Sequence, residues 1–267
     1  MKRFILAAIV AAGLGGGASA FAAEDAALKA AIAAPTRTAA NVARDPARHP
    51  YETLSFFGIK PTMTVVELTP AGGWYTEILA PYLADKGVLI AASEEVVEGK
   101  KAGMGFRNKV NSNPIYSKVR LGIFEPPTKY AIAPANAADM VLTFRNLHNW
   151  VELGPEKLQE VFKTVHTVLK PGGVFGIVDH RLPAAMTQDA TASTGYLHEA
   201  WVIKTVEAAG FKLVAKSEIN ANPKDKADHP NGVWALPPVL ANKDVKRSDY
   251  LAIGESDRMT LKFVKVQ

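Results

Sequence analysis

The 267-residue chain contains no cysteine. That excludes disulfides, thiolate metal centres, a cysteine nucleophile and a lipidated N-terminal cysteine, and it suits an oxidising compartment. Signature loops of several enzyme classes are also missing. No Walker loop is present, which argues against NTP hydrolysis, and no G-x-S-x-G elbow, which argues against an α/β-hydrolase. The six histidines are scattered. None forms a His-x-x-x-His or His-Glu-x-x-His pair, so their spacing suggests no metal. Lys and Arg form no stripe interleaved with aromatics, and the formal net charge of +5 includes Lys2 and Arg3. Nothing in that pattern points to nucleic acid. There is no internal repeat, and beyond the first residues no apolar run is long enough to span a bilayer.

What is present begins with a leader. Met1-Lys2-Arg3 precedes an apolar run from Phe4 to Leu14, then small residues ending in Ala18-Ser19-Ala20 and Phe21-Ala22-Ala23. A basic start, a short apolar core and an A-x-A site make a secretory signal peptide over residues 1–23. The run falls short of the roughly 20 residues of a membrane helix. The mature chain is therefore expected to be periplasmic or secreted, with no membrane span after cleavage. At 48% apolar and 21% charged the chain is globular. Residues 24–267 suit one domain.

Residues 24–60 are expected to form a helical lead-in. Within it, Arg44-Asp45-Pro46-Ala47-Arg48-His49-Pro50 has two readings. Asp45 as N-cap with Pro46 at the first helical position explains the local pattern and is favoured. The other is a flap over a site, carrying Arg44, Arg48 and His49.

A regular alternation follows. Strands are predicted at 64–68, 87–92, 118–122, 139–144, 174–178, 212–219 and 259–266. Helices are predicted at 75–84, 155–169 and 196–209, with Leu158, Val161, Phe162, Val165 and Leu169 at helical spacing in the second. Lys170-Pro171-Gly172-Gly173 stops that helix, and Gly210 stops the third. Strands alternating with helices imply an α/β, Rossmann-like, doubly wound and mostly parallel sheet with helices on both faces. The polar, proline-bearing stretch 220–255 reads as an insertion before the final strand.

The stretch from Thr64 to Leu79 is a strand, a Pro/Gly turn and a helix, the unit with which nucleotide-binding α/β domains open. Glu67 ends the strand, and Gly72 and Gly73 permit close backbone approach. Ligands in such sheets gather beyond the C-terminal strand ends. There Arg145-Asn146-Leu147-His148-Asn149-Trp150 follows the fourth strand. His148 is the candidate general base, with Asn146 beside it as a second catalytic candidate. Asp179-His180-Arg181 leaves the fifth strand at the same edge. Neighbouring side chains diverge on an extended chain, so Asp179 has a turn-capping reading as well as one of orienting a histidine.

The order of these motifs resembles a class I S-adenosylmethionine-dependent methyltransferase: the Glu67 turn, acids after the second strand, Ala138-Asp139-Met140-Val141-Leu142, Leu169-Lys170-Pro171-Gly172-Gly173, and Ala208-Ala209-Gly210-Phe211. More narrowly, Gly72-Gly73-Trp74-Tyr75-Thr76, Phe144 to Trp150, Arg44 to Pro50 and Gly254-Glu255-Ser256-Asp257-Arg258 resemble a bacterial group of exported proteins described as predicted methyltransferases. The resemblance covers most of the mature chain. It implies a seven-stranded sheet with the last strand antiparallel, S-adenosylmethionine as cofactor without a metal, and a small-molecule or envelope substrate. It places Glu67, Thr69, Ala71, Gly72, Gly73, Glu94 and Phe144 at the cofactor. The glycine slots of that family's acid-x-Gly-x-Gly-x-Gly loop hold Thr69, Ala71 and Gly73 here, and Ser93 precedes Glu94 where an acid usually ends the second strand. Those substitutions leave two alternatives: a non-catalytic binding or scaffold protein on the same fold, and an enzyme that uses the pocket for another ligand.

Overall fold

A computed structural model describes residues 25–99, 101 and 103–266. The signal peptide expected at 1–23 lies outside them. The lead-in forms four short helices: α1 (Ala26–Ile32), α2 (Ala39–Val42), α3 (Asp45–Arg48) and α4 (Pro50–Phe57). The alternation follows as β1 (Thr64–Leu68), α5 (Thr76–Leu83), β2 (Val88–Ser93), α6 (Met104–Ser112), β3 (Arg120–Ile123) and β4 (Ala138–Phe144). It continues with α7 (Leu147–Val151), α8 (Pro155–Val168), β5 (Leu169–His180), α9 (Glu199–Glu207), β6 (Phe211–Ser217), α10 (Arg247–Ile253) and β7 (Arg258–Lys265).

The seven strands make one sheet in the order β3-β2-β1-β4-β5-β7-β6. β1 to β5 pair in parallel, and β7 runs antiparallel to both β5 and β6. Because successive strand residues face opposite ways, β1 feeds two cores. Val66 and Leu68 pack with Leu158, Val161, Phe162 and Val165 of α8 on one face. Val65 packs with Ile78, Leu79 and Leu83 of α5 on the other. Strands buried on both faces read as continuous apolar runs.

Three local expectations change. Asp45 does begin α3, but its carboxylate caps nothing: it receives a forked bond from Arg37 Nη1 and Nη2 at 2.6 and 2.8 Å. A guanidinium fork outcompetes a single backbone N–H for a carboxylate. The Lys170–Gly173 turn does end α8, yet the chain enters β5 at once. The register opposite β4 skips from Leu169 to Val174, with Gly172 left-handed at φ +72°. α6 is additional, a mostly polar helix in the segment after β2.

Residues 220–255, between β6 and β7, fold back over the sheet edge. Tyr196 Oη donates to Asp225 at 2.9 Å, and His229 Nε2 meets the same carboxylate at 2.8 Å. Gly232 must be glycine: its φ is +56°, and a Cβ would lie 2.2 Å from Thr194 O. This brings the Trp234 ring within 6.1 Å of the His148 ring. Among the described residues, no helix is long and apolar enough to cross a membrane.

Candidate functional site

Strand order reverses between β1 and β4, and the crevice beyond the strand ends at such a point is where ligands bind in open α/β sheets. Asn146 sits there. Its Nδ2 donates to Leu68 O and Thr69 O, each at 3.2 Å, tying the end of β4 to the loop after β1.

That loop has an unusual backbone. Thr69, Ala71 and Gly73 are all left-handed, with φ of +48°, +49° and +73°. Each L-residue in that region costs about 1–2 kcal/mol, and a β-branched threonine is a genuine outlier. The loop thus keeps glycine geometry at all three slots although two have lost glycine. Gly73 is favoured by its left-handed φ, and a Cβ there would displace the flexible Lys109 side chain, whose Cε lies 2.9 Å away. Gly72 is open, with nothing within 4 Å of its Cβ position. Ala71→Gly should stabilise the fold by up to about 1 kcal/mol, the relieved strain less glycine's own entropy cost of about 0.5–1 kcal/mol. Urea unfolding checks this, and a destabilised variant contradicts it.

Glu67 lies beneath the loop, 2% exposed. Thr76 Oγ1 donates to its Oε2 at 2.6 Å. Burial pushes its pKa up to about 7 against the opposing pull of Thr76 and Lys109. The lead-in grips the same loop from outside. Trp74 Nε1 donates to Asn41 O at 2.9 Å, and the Trp74 ring packs against the guanidinium groups of Arg37 and Arg48. Phe144 stacks on Tyr75, ring centroids 3.5 Å apart, bracing β4 against the start of α5.

Two of the cavities along this edge, among the described residues, hold the candidate side chains. The first, about 240 Å³, lies beyond β1 and β2 and is lined by Thr69, Ala71, Ser93, Glu94, Gly103 and Phe106. Glu94 is the acid in that wall, and one of its oxygens accepts from Gly103 N at 3.0 Å. Displacement of the acid by one residue from the strand end has therefore not removed it from the cavity.

The second cavity, about 160 Å³, lies beyond β4 and β5 under residues 220–255. Its walls include Arg145, His148, His180, Trp234, Glu255 and Ser256. His148 Nδ1 lies 2.8 Å from Asp179 Oδ1, and His148 N and His180 N also donate to that carboxylate at 3.2 and 2.8 Å. Asp179 thus accepts from the first turn of α7 and orients the imidazole of His148, not that of its neighbour His180, whose ring bonds Ser256. With Asp179 as acceptor, the proton is assigned to Nδ1, which leaves the Nε2 lone pair for a ligand. His180 Nδ1 bonds Ser256 Oγ at 2.5 Å. Burial, then His148 and Arg145, holds the His180 pKa well below its usual value, so the ring is neutral at neutral pH. Asp179 and His180 do diverge along β5, but α7 folds over the strand end and brings the His148 ring to 5.0 Å from that of His180. Ligand atoms of His148, Asp179 and His180 lie within 4.8 Å of one another, close enough to hold a metal ion, which the scattered sequence spacing did not suggest. In this geometry His148 Nδ1 and Asp179 are already engaged with each other.

Sequence reasoning missed the cationic side of this cavity. Glu255 accepts from Arg44 Nε at 2.6 Å, Arg258 Nη1 at 3.2 Å and Arg48 Nε at 3.3 Å. Burial would raise the Glu255 pKa, but Arg48, Arg258 and Arg44 hold it at about 2. The signal lay in Arg44 and Arg48, which the less favoured flap reading carries, and in the Gly254–Arg258 segment, which enters through the resemblance alone.

Among solved structures, a SAM-dependent methyltransferase from Aquifex aeolicus matches with a TM-score of 0.56 at 19% identity, covering 84% of this chain and 93% of its own. The [4+2]-cyclase SpnF matches at 0.56 and 14% identity, covering 82% and 80%. A possible exported protein from Bordetella parapertussis matches at 0.50 and 13% identity, covering 84% and 68%. No family model and no curated protein matches the sequence. The likeness is one of fold: the chain has the class I SAM-dependent methyltransferase fold.

Proposed function

We propose that this chain, built on that fold, is an exported SAM-dependent methyltransferase acting on a small molecule or an envelope component. The observation that carries the reading is the β1 loop. It holds left-handed backbone at Thr69, Ala71 and Gly73 against the preference of two of those residues, and strain of this kind persists where a site needs it. The space over Gly72 admits a ligand close to the backbone. Glu94 would accept hydrogen bonds from ribose hydroxyls in the first cavity, and Gly73 lets the chain turn into α5. The cofactor would supply an electrophilic methyl group. His148, oriented by Asp179, would take the proton that an O–H or N–H acceptor loses as its lone pair is methylated. Asn146 would act as a positioning residue for the loop. Most of the acceleration would come from proximity and orientation.

Isothermal titration of the exported protein with S-adenosylmethionine and S-adenosylhomocysteine tests this. Micromolar binding is expected. Gly72→Ala should leave the melting temperature within about 2 °C, because its Cβ meets nothing, while weakening the cofactor about tenfold or more. Absence of heat at millimolar ligand overturns the reading. The cyclase among the fold neighbours favours one alternative, the same pocket serving another reaction. Mass spectrometry of ligand co-purified with the protein separates the two.

A further inference from the structure

The cavity at the ends of β4 and β5 is bordered by an incomplete ion cluster. Four guanidinium groups, Arg44, Arg48, Arg145 and Arg258, surround one carboxylate, Glu255. Arg48 and Arg258 are 2% and 3% exposed. Burial draws the Arg48 pKa down to about 9, with Arg145 adding to it, and draws Arg145 down to about 10, so both stay charged at neutral pH. Tyr75 beside them has its phenol pushed up to about 12 by burial and contributes no charge. Glu255 is the carboxylate bonded to the cluster, with Asp257 attracting Arg258 from further off, so positive charge is in excess. Among the described residues, Arg44 Nη2, Arg48 Nη2 and Arg258 Nε are buried donors with no hydrogen-bond partner.

A cluster of that composition is costly as it stands. Buried charges are tolerated when paired, and buried N–H groups when bonded. The backbone adds an independent sign: Arg145, which lines the cavity, sits at a left-handed φ of +60° at the end of β4, its N–H donating to Val178 O at 2.7 Å. Strain at a non-glycine residue facing a cavity is a mark of a ligand site. The cavity's volume suits a compact oxyanion rather than a whole nucleoside.

We propose that this cavity binds an anionic group of the acceptor, a carboxylate or phosphate, through Arg145, with the positive charge of Arg44, Arg48 and Arg258 behind it. The inference rests on the functional reading above and specifies its substrate class. The anion supplies the missing counter-charge, and it holds the acceptor's nucleophilic atom beside His148 Nε2, which shares the cavity with Arg145. Guanidinium forks match both anions with two parallel bonds.

The test uses the full exported protein with sodium phosphate and sodium acetate as probes, titrated calorimetrically at fixed ionic strength against chloride. At least one probe should bind in the millimolar range or tighter and raise the melting temperature. The stronger of the two identifies the acceptor's group as phosphate or carboxylate. Arg145→Met should weaken that probe about tenfold or more, Arg145→Lys less, and S-adenosylhomocysteine should bind within twofold of wild type in both. Arg44→Met, at a partly exposed position, gives a second reading should the Arg145 variants not fold. No binding of either probe at 50 mM overturns the proposal, as does binding that neither Arg145 nor Arg44 substitution alters. If the homocysteine ligand and the anion compete, and both weaken together in Arg145→Met, the site holds the cofactor's own carboxylate, which overturns the assignment to the acceptor. A protein that binds phosphate or acetate but not S-adenosylhomocysteine refutes the methyltransferase reading and leaves the anion site standing.

Discussion

His148→Ala is expected to lower methyl transfer by two to four orders of magnitude, the usual worth of a positioned general base. The assay is transfer of labelled methyl from S-adenosylmethionine into a small-molecule extract. The ring is buried, fixed at Nδ1 by Asp179 at 2.8 Å, and lines the cavity where an acceptor would sit. Asp179→Asn should cost turnover as well. An amide in place of the carboxylate can present its NH₂ to Nδ1, which would move the imidazole proton to Nε2 and remove the lone pair. S-adenosylhomocysteine affinity should change little in either variant, because His148 and Asp179 lie beyond β4 and β5, whereas the first cavity lies beyond β1 and β2. The control is His180→Asn. His180 is neutral and bonded to Ser256, so a smaller loss is expected, separating the base from its neighbour. Unchanged turnover in His148→Ala, with cofactor binding intact, would remove His148 from the chemistry.

The parts of this molecule that were legible in the sequence are those set by local pattern. β1 carries Val65, Val66 and Leu68, each buried, and its boundaries follow from that run. α8 shows one apolar stripe, Leu158 to Val165, against a polar face. α6 was not legible, because Met104 to Ser112 is mostly polar and buries only Phe106 and Val110. The site divides the same way. That His148 and Asn146 lie beyond the end of β4 could be read from their place after a strand. The arginine cluster could not, since Arg44 and Glu255 are 211 residues apart and meet only when the lead-in and the segment before β7 reach the same sheet edge. Likewise, spacing could not show that Thr69 and Ala71 keep a glycine backbone. A sequence records which side chain replaced glycine, and the three-dimensional loop decides whether φ follows.

Glu67→Gln should stabilise the protein at pH 8 by about 3–4 kcal/mol while changing little at pH 4.5. Glu67 is 2% exposed and its pKa is about 7, raised chiefly by burial. In the unfolded chain a glutamate titrates near 4.3. Below that value both states carry the proton, and the stabilising difference is fully present. As the pH rises from about 4.3 towards 7, the unfolded carboxyl ionises while the folded one stays protonated. Stability is then lost at up to about 1.4 kcal/mol per pH unit, until the folded group ionises too. Glutamine fills the same space, has an acceptor for Thr76 Oγ1 and cannot ionise. Urea unfolding of both proteins at pH 4.5, 6 and 8 gives the two curves. The gap should open between pH 4.5 and 7 and then level off. A gap that is the same at every pH would mean that Glu67 is already ionised in the folded protein. The experiment also bears on the loop. Glu67 braces the first turn of α5 from below, through Thr76, while the cavity is lined from above by Thr69, Ala71 and Glu94. If Glu67 acts only as that brace, Glu67→Gln will keep S-adenosylhomocysteine affinity within about threefold. A larger loss would place its charge in direct service of the cofactor, as the acid of the acid-x-Gly-x-Gly-x-Gly pattern implies.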